Sequence, residues 1–315
     1  MRNVITTCSA GILVGLMGAG PAAADGWFGF GHRWPPVWET AVRIGNGISH
    51  DTAADGCPIE TADGLSLFIA SNRRLPGVEQ NDIWVSDRAS LSSPWQEPRM
   101  VEAPISLETI ADFCPTPVRG RSLMFVSART APGGCVGDAG GDMYISRQSP
   151  AGGWSEPVNL GCAPNGPNTA GGERSPSLVE TPYGTFLFYS TNGTTGNQDI
   201  HVSVMRSNGT FGPGRPVDAL NTPHEDIMPN VHARESGGYE IVYSSNRPTN
   251  PPAATAHQDV YIAFAWFLPG PWSKPVNVGG AVNTTGTEQR STLSHDGQRL
   301  YFGRNGDIFV SQRKR

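Results

Sequence analysis

Five short segments of this chain place an acid three residues ahead of a proline or serine: Asp55 in DGCP, Asp112 in DFCP, Glu173 in ERSP, Asp226 in DIMP and Glu288 in EQRS. Carboxylates left unpaired can move protons, hold a cation or grip a sugar or basic group. Carboxylates met by backbone N–H groups or by guanidinium are struts. Possible partners recur in step: Arg73, Arg129 and Arg247 close the segments that follow, with Asn192 at the third place and Arg304 near the fifth. A residue type written in every repeat serves the repeat first, so departures are the better candidates for specific contacts. His224 and Glu225 in NTPHED, beside Asp226, are such departures, and histidine titrates near neutral pH.

The elements that must carry these residues repeat as well. QNDIWVSD, GGDMYISR, NQDIHVSV, HQDVYIAF and NGDIFVSQ put an aspartate at 82, 142, 199, 259 and 307, spacings of 60, 57, 60 and 48 residues. Such a period is the mark of a solenoid or propeller. An alternating strand precedes each copy (LSLFIASNR, RSLMFVSAR, GTFLFYSTN, YEIVYSSNR, QRLYFGRN), and an aromatic-led segment follows the first four (WQEPRMV, WSEPVNL, FGPGRPV, WSKPVNV). With the acid-led segment, each repeat has four short antiparallel strands, which is one propeller blade. The fifth repeat stops short of its aromatic strand, and WETAVRI from Trp38 resembles the missing piece. The expected fold is therefore all-β: a five-bladed β-propeller with four antiparallel strands per blade, the last blade closed by the N-terminal strand.

The rest of the sequence agrees with a turn-rich, exported β-protein. Its 315 residues include 39 Gly and 27 Pro. Residues 1–24 read as a signal peptide, with Arg2, the apolar run AGILVGLMGAG and the small residues Ala22–Ala24. A lead-in over 25–37 and the propeller over 38–315 follow. The expected location is secreted or periplasmic. Four cysteines then remain: Cys57, Cys114, Cys135 and Cys162. Three pairings are possible in an oxidising compartment. Equivalent positions on adjacent blades favour Cys57–Cys114, and two loops of one blade favour Cys135–Cys162. Their spacing suits no metal site, and no cofactor motif is present. The net charge of −5 becomes −6 without Arg2, and no basic stripe suggests nucleic acid or an anionic membrane. No later segment is apolar enough for membrane insertion, and a monomer is expected.

The long connections 73–81, 130–141, 161–172 and 247–258 fall on one face, together with the acids. Long loops on a rigid scaffold are where binding is placed. The candidate ligand wall is thus Asp55, Asp112, Glu173, Asp226 and Glu288 with Arg73, Arg129 and Arg247, plus His224 and Glu225.

LSHDGQRLYFGRNGDIFVSQR and WSKPVNVGGAVNT resemble the WD-like propeller repeats of TolB-type periplasmic proteins. Those proteins are typically six-bladed with a further N-terminal domain, so the resemblance implies the fold and not the Tol-system role. On this reading the protein is a binding module for a polar small molecule, glycan, peptide or envelope protein. The alternative is a carbohydrate-active enzyme, because five-bladed propellers include glycoside hydrolases and ERSPSLVETPYGTFLFYS resembles the start of such a blade. Those families place a catalytic aspartate directly before the Pro or Ser, where this chain has Cys57, Cys114, Ser175, Met228 and Arg290.

Overall fold

The computed structural model of the chain describes residues 26–28, 32–74, 80–130, 135, 140–193, 196–248 and 257–314. The expected signal segment 1–24 lies outside them, as do the loop residues 75–79, 131–134, 136–139 and 249–256. A hairpin of β1 (Gly26–Phe28) and β2 (His32–Trp34) belongs to a separate compact unit that ends at Trp34.

The propeller has five four-stranded antiparallel sheets, and no helix occurs among the described residues. Blade one is β4 (Asp55–Glu60), β5 (Ser66–Ser71), β6 (Asp82–Asp87) and β7 (Arg99–Met100). Blade two is β8 (Asp112–Val118), β9 (Ser122–Ser127), β10 (Asp142–Arg147) and β11 (Val158–Asn159). Blade three is β12 (Glu173–Thr181), β13 (Gly184–Thr191), β14 (Asp199–Val204) and β15 (Arg215–Pro216). Blade four is β16 (Asp226–Ala233), β17 (Tyr239–Ser245), β18 (Asp259–Ala265) and β19 (Val276–Asn277). Blade five is β20 (Glu288–Leu293), β21 (Arg299–Arg304) and β22 (Asp307–Gln312), completed by β3 (Val42–Arg43) from the N-terminal side.

That closure is the one expected. Val42 and Arg43 face Val310 and Phe309, and Trp38 bridges to Arg313 with its ring buried under that guanidinium. The outer strands are shorter than the aromatic-led segments suggest. Pro98, Pro157, Pro213 and Pro275 lack the N–H that a longer ladder needs, and proline in a sheet is confined to such edges.

Successive residues of each blade's second strand point to opposite faces, and its central residues are largely apolar on both. In β9, Leu123 and Phe125 pack toward Phe68 and Val85 of blade one, while Met124 and Val126 pack toward Leu187 and Tyr189 of blade three. Leu67 and Ile69 turn the other way, onto Tyr301 and Ile308 of blade five. Each sheet is covered on both faces by its neighbours, so the core lies between blades and the channel is left to the inner strands.

Candidate functional site

The five acids begin the inner strands at one mouth of the channel, and four of them are held by an arginine together with backbone or hydroxyl donors. Asp55 takes Arg73 at 2.6 Å and the His50 N–H at 2.6 Å; Asp112 takes Arg129 at 2.8 Å and the Leu107 N–H at 3.2 Å. Asp226 takes Arg247 and both the N–H and hydroxyl of Thr222. Glu288 takes Arg304 at 2.7 Å and the Thr284 hydroxyl at 2.7 Å. All are buried. The arginines also donate to loop carbonyls and lie over the aromatics of their own blades: Arg73 over Trp84, Arg129 over Phe125 and Tyr144, Arg247 over Tyr243 and Tyr261, Arg304 over Phe302 and Phe309. Each acid–arginine pair thus ties an incoming loop to the end of its blade's second strand. The expected wall of ligand-facing charges is, in the structure, a ring of buried struts.

Blade three departs because Asn192 stands where the arginine would be. Glu173 is held by the Thr169 N–H and hydroxyl and by the Thr191 hydroxyl, and its second oxygen has no protein partner. Burial pushes its carboxyl up to about 7, against the lowering effect of those hydrogen bonds.

Much of the cavity wall comes from bulges in the inner strands. Every inner strand slips register at the same point, between Gly56 and Ile59, Phe113 and Thr116, Arg174 and Ser177, Ile227 and Asn230, and Gln289 and Thr292. Inside each bulge one non-glycine residue has left-handed backbone: Cys57, Cys114, Ser175, Met228 and Arg290, with φ from 49° to 57°. A bulge re-aims a side chain, and left-handed backbone at a bulky residue costs about 1–3 kcal/mol, a combination that gathers at functional sites. Their residue types differ from blade to blade.

Cys57, Cys114, Met228 and Arg290 line a cavity of about 640 Å³ at this mouth. Its wall also carries Asn81, Gln289, Asn305 and Phe113, with Arg174 lying over the Phe113 ring. Gly140 and Gly172 pass so closely that a Cβ on Gly140 would lie 2.3 Å from the Gly172 Cα, and this approach lets Arg174 donate to the Gly140 carbonyl at 2.6 Å. A chain of amides runs from the cavity to the rim. Gln289 donates to Gln258 at 2.9 Å, and Gln258 donates to the Glu225 carboxylate at 3.0 Å. Glu225 is half-buried, whereas His224 is exposed.

The cysteines divide. Cys135 and Cys162 form a disulfide, which fastens two loops of blade two. Cys57 and Cys114, expected to form the second bridge, are two thiols whose sulfurs lie 2.7 Å apart in hydrogen-bonding contact.

No known family model and no curated protein matches the sequence. Solved structures match the fold. A glycoside hydrolase superposes with TM-score 0.58 at 11% identity, covering 89% of this chain and 92% of its own. The α-L-arabinofuranosidase of Podospora anserina gives 0.54 at 11% identity, over 89% and 97% of the two chains. The endo-arabinase of Bacteroides thetaiotaomicron gives 0.53 at 14% identity, again over 89% and 97%. At such identities the likeness establishes the five-bladed fold. It also corrects the TolB-type assignment and the binding-module reading attached to it, since the three propellers named are glycoside hydrolases and not TolB-type repeats.

Proposed function

We propose that the protein is a carbohydrate-active enzyme that acts on a glycan at this mouth, with Glu225 as the carboxylate that exchanges protons with the sugar. The observation that carries the reading is an axial cavity of about 640 Å³ in a propeller of the fold shared with arabinan-cleaving enzymes. Pockets of this size hold small ligands. Asn81, Gln289 and Asn305 bring both donors and acceptors, which suits hydroxyls that do both, and Phe113 offers an apolar face to a sugar ring.

The ring acids are unsuited to the chemistry because all five are buried and four are paired with arginine. Glu225, one residue ahead of Asp226, is half-buried and linked through Gln258 and Gln289 to the cavity wall. An exported chain, as the first 24 residues suggest, would meet polysaccharide outside the cytoplasm. The test is release of reducing ends from arabinan, arabino-oligosaccharides and a panel of other polysaccharides. Wild-type protein should turn over at least one, and Glu225→Gln should be about 10²–10⁴-fold slower with an unchanged melting temperature. No turnover of any glycan, or full activity in the variant, overturns the reading.

A further inference from the structure

Two nucleophilic groups and one unsatisfied cation in the cavity have no part in handling a sugar. The Cys57 and Cys114 sulfurs touch at 2.7 Å across adjacent inner strands, and the Ser175 hydroxyl donates to Cys114 at 3.4 Å. Both thiols lie at the cavity wall, Cys57 partly exposed and Cys114 buried. Arg290 comes from the equivalent bulge of blade five and is 2% exposed. One of its nitrogens donates to the Pro115 carbonyl and the Thr116 hydroxyl, but Nε and Nη1 have no protein partner although the side chain lines the cavity. A buried guanidinium with two free donors is a costly arrangement unless an anion answers it.

We propose that Cys57 and Cys114 form a thiol–disulfide exchange centre, and that its substrate is a small disulfide bearing a carboxylate, which Arg290 would receive. The contact lets two sulfurs share one proton. The Cys57 thiol is pushed up by its hydrogen bond to Cys114 and by burial. Burial also raises Cys114, but the Cys57 hydrogen bond and the Arg290 charge outweigh it and bring that thiol down to about 6. A Cys114 thiolate, favoured by the Arg290 charge and the Cys57 hydrogen bond, can serve as the internal base.

The Cys57 sulfur attacks one sulfur of R–S–S–R while its proton passes to Cys114; Cys57–S–S–R forms and RS⁻ leaves. Cys114 then gives its proton to solvent and attacks the Cys57 sulfur, forming Cys57–S–S–Cys114 and expelling the second RS⁻. Two protein thiols are oxidised by two electrons and one small disulfide is reduced to two thiols. Excess thiol runs the sequence backward.

The test is independent of any glycan turnover. Folded protein is equilibrated in glutathione buffers from reduced to oxidised, its remaining thiols are alkylated, and the cysteine peptides are mapped. The expected result is a linkage between the Cys57 and Cys114 peptides that appears with glutathione disulfide and disappears with excess glutathione, while Cys135–Cys162 stays closed. Cys57→Ser should keep the fold, because serine already occupies this position in blade three, and should slow capture of glutathione disulfide at least about tenfold. Arg290→Met should slow glutathione disulfide more than cystamine, which carries no carboxylate. Thiols that stay free in every buffer, or a linkage that excess glutathione cannot open in folded protein, overturn the proposal.

Discussion

Replacing Arg129 by methionine is expected to lower stability by about 3–5 kcal/mol, read from urea midpoints at pH 7. Methionine fills much of the same volume but removes the donors to Asp112, Ser127 and the Pro104 and Ile105 carbonyls. Asp112 would be left buried without a countercharge; burial already raises its carboxyl with the guanidinium beside it. The incoming loop at Pro104–Ile105 and the end of β9 would lose their common anchor. Arg119→Ala is the control: its pair with Glu180 spans 3.4 Å at the surface and should matter by less than about 1 kcal/mol. A loss under 1 kcal/mol for Arg129→Met would show that the ring of acids does not brace the propeller.

Glu173 should give stability the opposite pH dependence from a salt-bridged acid. Its folded value, about 7, lies above the ordinary 4.5. A raised carboxyl contributes fully below the unfolded value and loses that contribution as pH rises through the folded one. Between pH 4.5 and 8 the wild-type protein is expected to lose about 3 kcal/mol at this site. Glu173→Gln should not lose it, since the amide keeps the neutral shape and Thr169 and Thr191 can still bond it. Stability curves of the two proteins should therefore draw apart between pH 4.5 and about 8 and run parallel on either side of that window; curves that stay parallel within it contradict the assignment.

The blades were legible because geometry writes them into the chain. An apolar second strand covered on both faces, an aspartate before the third strand and an aromatic before the fourth recur in all or most repeats, and even the ring closure could be read from WETAVRI. The same features led to the TolB-type resemblance, because they belong to propeller packing and not to any one family. The site was less legible for a different reason. Asp55 and Arg73 are 18 residues apart in sequence; their recurrence in step marks them as partners, but only the fold shows that they meet buried. The five bulge residues share a backbone conformation and no chemistry, so no pattern of residue types marks Cys57, Cys114, Ser175, Met228 and Arg290 as one ring. Glu225 could be picked out because it breaks the repeat; its link through Gln258 to Gln289 could not.

The central claim is that function lies at the mouth ringed by the bulges. Its most direct test is a crystal structure of the protein soaked with an oligosaccharide that it cleaves or, for Glu225→Gln, binds. The account predicts sugar density in the cavity beside Gln289, Asn305 and Phe113, with position 225 within hydrogen-bond reach of a glycosidic oxygen. Density at the opposite mouth, between Arg119, Glu180 and His295, would contradict it.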